Sequence, residues 1–175
     1  MKTSNIQEKW EDEISFLDEL MNDDVRNNSA WNQRWFVAHR GSKSAPFSLA
    51  QAESEVQFAI EKAKVDPYNE SPWKYFIAII KEQSRRIGNT EEFPAFLALC
   101  EKAIEETKVS FEEASKKDGM ECTHLLSAYV DILEIKGGED CRENALGFMH
   151  ALETRYDPIR KKYWKLRAEK LQKSS

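Results

Sequence analysis

The residues of this sequence best suited to chemistry are its cysteines and histidines. Cys122 and His124 stand two residues apart, and Cys141 and His150 stand nine apart. A structural zinc site needs about four ligands that converge on one point, and on helices these spacings do not bring the side chains to one face. We therefore predict half-buried thiols and surface or capping imidazoles, and no metal site.

Sequence motifs of an independent active site are not found either. The sequence has no glycine-rich phosphate loop, no His-Glu-x-x-His helix, no Cys-x-x-Cys pair and no Gly-x-Ser-x-Gly turn. We predict no catalytic residue in this chain. The three cysteines are odd in number and widely spaced, which favours reduced thiols over a disulfide framework.

Composition limits the class of protein. The 175 residues fit a single domain, 1–175, and 41% of them are hydrophobic, enough to build a core. The net charge of −5 argues against a nucleic-acid partner. No run of about 18 uncharged apolar residues occurs and the first ten residues are polar, so we expect no transmembrane segment and a cytoplasmic protein.

The elements that position the side chains are predicted from one recurrent spacing, an aspartate seven residues before a tryptophan. It occurs in DVRNNSAW, DPYNESPW and DPIRKKYW, which end at Trp31, Trp73 and Trp164. Each aspartate ends one apolar-periodic segment and each tryptophan opens the next, as in two antiparallel helices joined by a polar turn. We predict an all-α superhelix (solenoid) of about four antiparallel hairpins, with repeats near 6–41, 48–88, 90–137 and 140–173.

Cap-forming residues mark the predicted helix starts. Ser48 and Gln51 have the spacing of a capping box. Ser71 is the expected cap of a helix that begins with Pro72, where a missing N–H costs nothing. Gly41 is expected to end a helix, and the other candidate caps are Thr90 and Asp140.

The tryptophans are assigned to the structural core of the repeats. Trp31, Trp73 and Trp164 are each expected to wedge between the helices of one hairpin and the next, burying roughly 200 Å². Arg34 follows Trp31 by three residues and is expected to pair with an acidic side chain of a neighbouring repeat, because a guanidinium can bind a carboxylate through two bonds. Arg167 has the same offset from Trp164.

Two segments carry a resemblance to a known family. DVRNNSAWNQRWF, residues 24–36, and DPYNESPWKYF, residues 66–76, resemble the alpha-subunit repeat of the protein prenyltransferases, most closely that of the farnesyltransferase and type I geranylgeranyltransferase enzymes. The similarity runs from about residue 8 to 86 and extends to 157–164. Residues 87–139 match poorly.

The resemblance implies a non-catalytic subunit of a heterodimer. In that family the alpha subunit wraps a beta subunit, and the beta subunit binds the zinc, the isoprenoid diphosphate and most of the CaaX peptide; Mg²⁺ assists the farnesyl reaction. The expected partners are therefore a prenyltransferase beta subunit and, through the complex, CaaX proteins and isoprenoid diphosphate. No cofactor is expected on this chain itself.

The turn residues are the candidate partner interface. Their positions in the repeat place them at the same end of successive hairpins, so they form one polar edge. In the resembling family that edge faces the beta subunit. The residues expected to exchange hydrogen bonds across the interface are Arg26, Asn27, Asn28, Ser29, Asn32, Tyr68, Asn69 and Glu70.

One feature of the family is missing from the sequence. Family alpha subunits are substantially longer, and the repeat whose lysine helps to hold the diphosphate lies upstream of the repeat matched here. Residues 26–29 stand where that lysine-bearing stretch would align, and no Lys-Asn-Tyr occurs. We expect the chain to correspond to the C-terminal half and to support little or no transfer.

Two alternatives and one charge pattern stay open at this point. The chain could be a freestanding tetratricopeptide-like scaffold that binds peptides, or resemble the alpha subunit of the Rab-specific geranylgeranyltransferase. Residues 1–24 carry eight acids and two bases, whereas 155–175 carry eight bases and two acids. Such a basic end helix can be a solvated face, or it can attract an anionic membrane or an acidic partner.

Overall fold

The computed structural model describes residues 4–40, 47–115 and 122–174, and it contains no β-strand within those ranges. The predicted all-α fold class is confirmed. The described residues form eight α-helices: α1 Ser4–Asp23, α2 Asn28–Arg40, α3 Leu49–Val65, α4 Glu70–Ile87, α5 Glu92–Ser115, α6 Thr123–Lys136, α7 Glu139–Ala151 and α8 Lys161–Lys173. Between α7 and α8 the chain forms a π-helical segment, Leu152–Tyr156, and a 3₁₀ turn, Pro158–Arg160.

The helices belong to two compact units, residues 1–79 and 80–175, and the division falls within α4. In the first unit Trp31 and Trp73 are both buried. The Trp31 ring lies 5.8 Å from the ring of Phe58 on α3 and 5.3 Å from that of Tyr75 on α4. The indole of α2 therefore packs against both helices of the following hairpin, as a wedge would.

The recurrent aspartates shape the turns before the tryptophans. The Asp24 side chain accepts a hydrogen bond from the backbone N–H of Arg26 at 2.9 Å, and the Asp66 side chain accepts one from Tyr68 at 3.3 Å. These are Asx turns, in which a short carboxylate replaces a backbone acceptor. The same local chemistry therefore forms both turns, 42 residues apart.

Each turn is then closed by the indole N–H of its tryptophan. Trp31 Nε1 donates to the carbonyl of Val25 at 2.8 Å, and Trp73 Nε1 donates to the carbonyl of Pro67 at 3.2 Å. Both bonds span six residues, so the buried ring satisfies its only polar atom inside its own turn. The seven-residue spacing from aspartate to tryptophan is the length that this closure needs.

The second unit contains the third tryptophan at its core. Trp164 is 1% exposed and lies in a cluster with Leu126, Val130, Met149 and Leu152. Its Nε1 donates to Asp157 Oδ2 at 2.8 Å, so here the aspartate side chain itself accepts the indole bond. The Asp157 carboxylate also accepts from Arg160 Nε at 2.6 Å.

The helix starts agree with the sequence at α3 and differ at α4. Ser48 and Gln51 form the predicted capping box. The prediction that Ser71 caps α4 is wrong, because α4 begins at Glu70 and the side chain of Asn69 accepts from the Ser71 N–H at 3.1 Å. Pro72 is consequently the third residue of the helix. An asparagine caps as well as a serine, and its earlier position extends the helix by two residues.

Two other predicted caps are also wrong. Thr90 closes the preceding helix instead, since its hydroxyl donates to the carbonyl of Ile87 at 2.7 Å, and α5 begins at Glu92. Asp140 lies inside α7, which starts after Gly138 without a side-chain cap. Gly138 has a φ of 89°, a conformation that suits glycine. The predicted helix end at Gly41 lies outside the described residues.

Candidate functional site: the turn groove of the first unit

Three interactions join the two turns of the first unit side by side. Arg26 Nε donates to Asp66 Oδ2 at 2.6 Å, and this bond raises the pKa of the Arg26 guanidinium. Asn69 Nδ2 donates to the Val25 carbonyl at 2.8 Å. At the first turns of α2 and α4 the hydroxyl of Ser71 donates to the amide oxygen of Asn28. The two turns therefore form one continuous polar edge, built from residues 40 to 44 positions apart.

An open groove of about 720 Å³ runs along this edge, and we call it the turn groove. It is lined by the turn residues and by the N-terminal parts of α2 and α4. The lining residues are Arg26, Asn28, Trp31, Asn32, Trp35, Tyr68, Asn69, Glu70, Ser71, Lys74, Tyr75 and Ala78.

The outer wall of the groove offers both an aromatic ring and polar groups. The Tyr68 side chain is 70% exposed, and Asn28 and Asn32 are also exposed. Lys74 Nζ lies 3.1 Å from Glu70 Oε2 across one helical turn. Amides, a phenol and a lysine–glutamate pair can donate and accept hydrogen bonds with another polypeptide, while the ring supplies apolar area.

Three residues that the sequence predicted at the partner interface, Asn69, Asn27 and Ser29, are not exposed groove-lining side chains in the structure. Asn69 is only 6% exposed, and both of its amide atoms are bonded inside the chain. Asn27 caps α2, since its Oδ1 accepts from the Ala30 N–H at 3.1 Å. Ser29 is exposed and is not part of the groove lining. Asn69 and Asn27 thus fix the turn, and their contact with a partner stays a prediction.

An ionic network in the interior of the first unit is hydrogen-bonded to one residue of the groove, Tyr75. Arg34 on α2 binds Glu55 on α3 through two bonds, Nε to Oε2 at 2.7 Å and Nη2 to Oε1 at 2.8 Å, and it also binds Asp18 on α1. The hydroxyl of Tyr75, a groove residue, donates to Glu55 Oε2 at 2.5 Å. One guanidinium therefore connects three helices, and it stacks over the Phe58 ring at 3.5 Å.

The electrostatics of the network raise the pKa of two of its members, Tyr75 and Arg34. Burial raises the pKa of Tyr75, and the Glu55 carboxylate raises it further, so the phenol stays a donor. Burial alone would lower the pKa of Arg34, but the hydrogen bonds and charge of Glu55 outweigh it and the pKa is raised. The groove wall around Tyr75 is therefore preorganised.

The equivalent arginine of the second unit forms a similar network. Arg167 Nη2 donates to Asp131 Oδ1 at 3.0 Å and to Glu134 Oε2, and Arg167 Nε donates to Glu134 Oε1 at 3.2 Å. Burial would lower the pKa of Arg167, but the Glu134 and Asp131 carboxylates raise it overall. The offset of three residues after the tryptophan thus has the same structural use in both units.

Sequence reasoning missed several residues of the groove. Trp35 lies one helical turn after Trp31, so its place on the same face could have been found from the spacing of four. Lys74 and Tyr75 follow Trp73 directly, and no periodic signal distinguishes their roles. The acceptor Glu55 is one of three acidic residues on α3, and only the fold identifies it.

The structure adds two general findings. No group of three or more histidine, cysteine or acidic side chains in the described parts of the chain could hold a metal ion. None of the helices within those parts is long and apolar enough to cross a membrane.

Comparison with known proteins gives consistent matches. The family model of the protein prenyltransferase alpha subunit repeat matches residues 10–40. The chain is 35% identical over 155 residues to the protein farnesyltransferase/geranylgeranyltransferase type-1 subunit alpha of Dictyostelium discoideum, covering 89% of this chain and 43% of the relative. The pea (Pisum sativum) protein of the same name is 33% identical over 180 residues, with coverage of 93% and 49%.

A solved structure shares the fold. The Candida albicans protein geranylgeranyltransferase-I complexed with GGPP matches with a TM-score of 0.64 and 23% identity, over 91% of this chain and 46% of that chain. The chain thus spans about half the length of the relatives it matches. Residues 10–40 thus carry the protein prenyltransferase alpha subunit repeat, and most of the chain is similar to about half of the alpha subunits of farnesyltransferase/geranylgeranyltransferase type 1.

Proposed function

We propose that this chain is the partner-binding portion of the alpha subunit of a CaaX protein prenyltransferase, and that its turn groove contacts the beta subunit. The observation that carries the proposal is that one groove collects most of the turn residues expected at the interface. Those residues are Arg26, Asn28, Asn32, Tyr68, Asn69 and Glu70. The names of the relatives support the same assignment.

The groove has the physical properties of a partner-binding surface. Its backbone is fixed by the Asx turns and by the Asn69–Val25 bond, so little conformational entropy is lost on binding. Tyr68 combines a large exposed ring with a hydroxyl, the combination enriched at interface hot spots. Around it the amides of Asn28 and Asn32 can pair with partner backbone groups.

In this proposal the chain supports transfer without performing it. The beta subunit supplies the zinc, the isoprenoid diphosphate site and most of the CaaX-binding surface, and Mg²⁺ acts there in the farnesyl reaction. The described residues of this chain offer no metal-binding cluster for that role. The chain would stabilise the beta subunit in a cytoplasmic heterodimer.

Co-expression with a farnesyltransferase beta subunit, followed by size-exclusion chromatography, tests the proposal. We expect the two chains to elute together as a stable heterodimer. Separate elution of two folded chains would contradict it, as would tight binding of isolated peptides without any beta subunit, which is the behaviour of a freestanding scaffold. Transfer of labelled farnesyl to a CaaX peptide by this complex should be weak or undetectable.

Two groove variants locate the interface within that experiment. Tyr68→Ala and Asn32→Ala remove exposed side chains, so both should fold normally and weaken the heterodimer, Tyr68→Ala by roughly tenfold or more. Val65→Ala is the matched control, since Val65 is 72% exposed and does not line the groove. Equal affinities for all three variants would remove the groove from the interface.

A further inference from the structure

The outward side of α8 carries an exposed apolar stripe. Ile159, just before the helix, is 97% exposed, Leu166 is 65% exposed and Tyr163 is 49% exposed. They follow one another at intervals of four and three residues, the spacing of one helical face. The opposite side of α8 packs into the second unit through Trp164, with Leu171 against the same cluster. The helix is therefore held in place while its outer stripe contacts solvent.

The same helix carries exposed lysines, of which Lys162, Lys170 and Lys173 lie beside the stripe by helical spacing. The exposed ones are Lys161, Lys162, Lys165, Lys170 and Lys173. None of these five forms an ion pair with a carboxylate in the part of the chain that the structure describes, whereas Arg160 and Arg167 are bound to acidic side chains. The segment 155–175 carries eight bases against two acids in a protein of net charge −5. The positive charge of the five α8 lysines is therefore not paired with a carboxylate among the described residues.

We propose that the outer stripe and its lysines dock on the surface of an anionic lipid bilayer. Apolar side chains at helical spacing, flanked by lysines, are the pattern of a helix that lies in the headgroup region. Tyrosine favours that region because its ring is apolar and its hydroxyl polar. The lysine stems extend along apolar surface while the ammonium groups reach the headgroups.

The exposed cations of α8 are lysines, whereas its arginine is bonded inside the unit, and this difference favours a lipid surface over an acidic protein as the partner. Two arginines of this segment make geometrically defined bonds inside the unit, Arg160 with Asp157 and Arg167 with Glu134 and Asp131. The outward cations are lysines, which act as flexible point charges without bidentate geometry. Point charges suit a diffuse layer of mobile phosphates and carboxylates, whereas recognition of a fixed acidic protein surface gains from the arginine fork.

The test uses the purified full chain alone, so it is independent of any prenyltransferase subunit. Flotation with vesicles of phosphatidylcholine is compared with flotation on vesicles that contain about one third phosphatidylserine. We expect binding to the anionic vesicles only, and its loss when the salt is raised from about 0.1 M to about 0.5 M. Equal recovery with both vesicle types, or no binding to either, would overturn the proposal.

Lysine substitutions then distinguish binding through the α8 face from attraction by the net charge of the whole chain. Lys162→Gln with Lys170→Gln should weaken binding about 25-fold, since each lysine near an anionic surface contributes about a factor of five. Lys64→Gln with Lys102→Gln removes the same charge from exposed sites elsewhere and should leave binding nearly unchanged. Equal losses in the two pairs would mean that net charge, and no docking face, attracts the chain to vesicles.

The apolar stripe has its own pair of variants. Ile159→Ser with Leu166→Ser should reduce binding at least tenfold, and Val65→Ser, an equally exposed apolar site on α3, should not. Circular dichroism checks that all variants stay folded. If the Ile159→Ser, Leu166→Ser variant still bound the anionic vesicles, the apolar stripe would not enter the bilayer surface. If the chain bound soluble polyglutamate and no vesicles, the partner of the α8 face would be an acidic protein.

Discussion

Arg34 joins three helices of the first unit through one guanidinium group. Its two bonds to Glu55 lie in the interior, where the arginine is 4% and the glutamate 9% exposed. A buried charge pair contributes little net stability when complete, because desolvation offsets the attraction, but it is costly to break. The residue is therefore a sensitive probe of how α2 and α3 are held together.

Arg34→Ala should lower the free energy of unfolding by roughly 3 to 5 kcal/mol, because the Glu55 carboxylate then stays buried with the Tyr75 hydroxyl as its remaining close donor. Urea denaturation followed by circular dichroism measures the change. Arg85→Ala is the control, since Arg85 is exposed and pairs with Glu82 on the helix surface, and it should cost well under 1 kcal/mol. Similar losses for the two variants would contradict the network.

Tyr75 gives the network a defined response to alkaline pH. Its pKa is raised above the ordinary value of 10.0 by burial and by Glu55. A group whose folded-state pKa is raised contributes stability that is present below the unfolded pKa and is lost as the pH rises beyond it. The wild type should exceed Tyr75→Phe in stability by about 1 kcal/mol near pH 8.

Above pH 10 this advantage should shrink by up to about 1.4 kcal/mol per pH unit, because the unfolded tyrosine ionises while the buried one does not. Urea denaturation of both proteins at pH 8, 10 and 11 follows it. A constant difference at all three values would show that Tyr75 titrates normally in the folded chain.

At this scale the sequence predicted the arginine but not its partner. The offset of Arg34 from Trp31, repeated by Arg167 after Trp164, was readable, and so was the capacity of a guanidinium to bridge two hairpins. The choice of Glu55 depends on how α3 packs against α2. Asn69 shows the reverse case, because its type suggested an exposed turn residue, and its burial follows from the contact with Val25.

Helix α4 begins at Glu70 because Asn69 both caps it and joins it to the neighbouring turn. Asn69→Ala should therefore cost roughly 2 to 3 kcal/mol, a cap of about 1 kcal/mol and a part-buried hydrogen bond of similar size. Thermal unfolding is the measurement. Ser71→Ala, at the cap expected from sequence, should cost clearly less, and the opposite order would contradict the assigned helix start.

The tryptophans act at the same scale, as closures between paired helices. Trp31→Ala should destabilise the first unit by roughly 3 to 5 kcal/mol through the cavity it leaves between Phe58 and Tyr75. Trp31→Phe keeps much of the ring and loses the bond to Val25, so its cost should be about half. Denaturation in urea compares the two. If Trp31→Phe were as costly as Trp31→Ala, the indole bond would matter more than the packing.

The existence of the helices was predictable, whereas several of their boundaries were not. The periodic apolar positions and the repeated aspartate indicated where turns fall, because that chemistry is local. The starts of α4, α5 and α7 depended on which of several adjacent polar residues reaches the first free N–H groups. Asn69 at α4 and the glycine before α7 decided those positions, and propensity alone does not rank them.

On the scale of the whole molecule, the two units present different surfaces. The first carries the polar and aromatic turn groove, and the second carries the lysine-flanked stripe of α8. Six of the twelve groove residues were predicted from the sequence as interface residues, because they lie in or next to the turns that recur before the tryptophans. The contributions of Trp35, Lys74 and Tyr75 to the groove were not predictable, because the groove forms only when folding brings two turns together that are distant in the sequence.

Hydrogen–deuterium exchange on the chain, free and bound to a farnesyltransferase beta subunit, tests the central assignment most directly. Amides that become buried at an interface exchange more slowly. The account predicts new protection at residues 24–32 and 66–74, which form the turn groove, with little change along α7 in the second unit. Protection confined to other helices, with both turn segments exchanging as in the free chain, would contradict it.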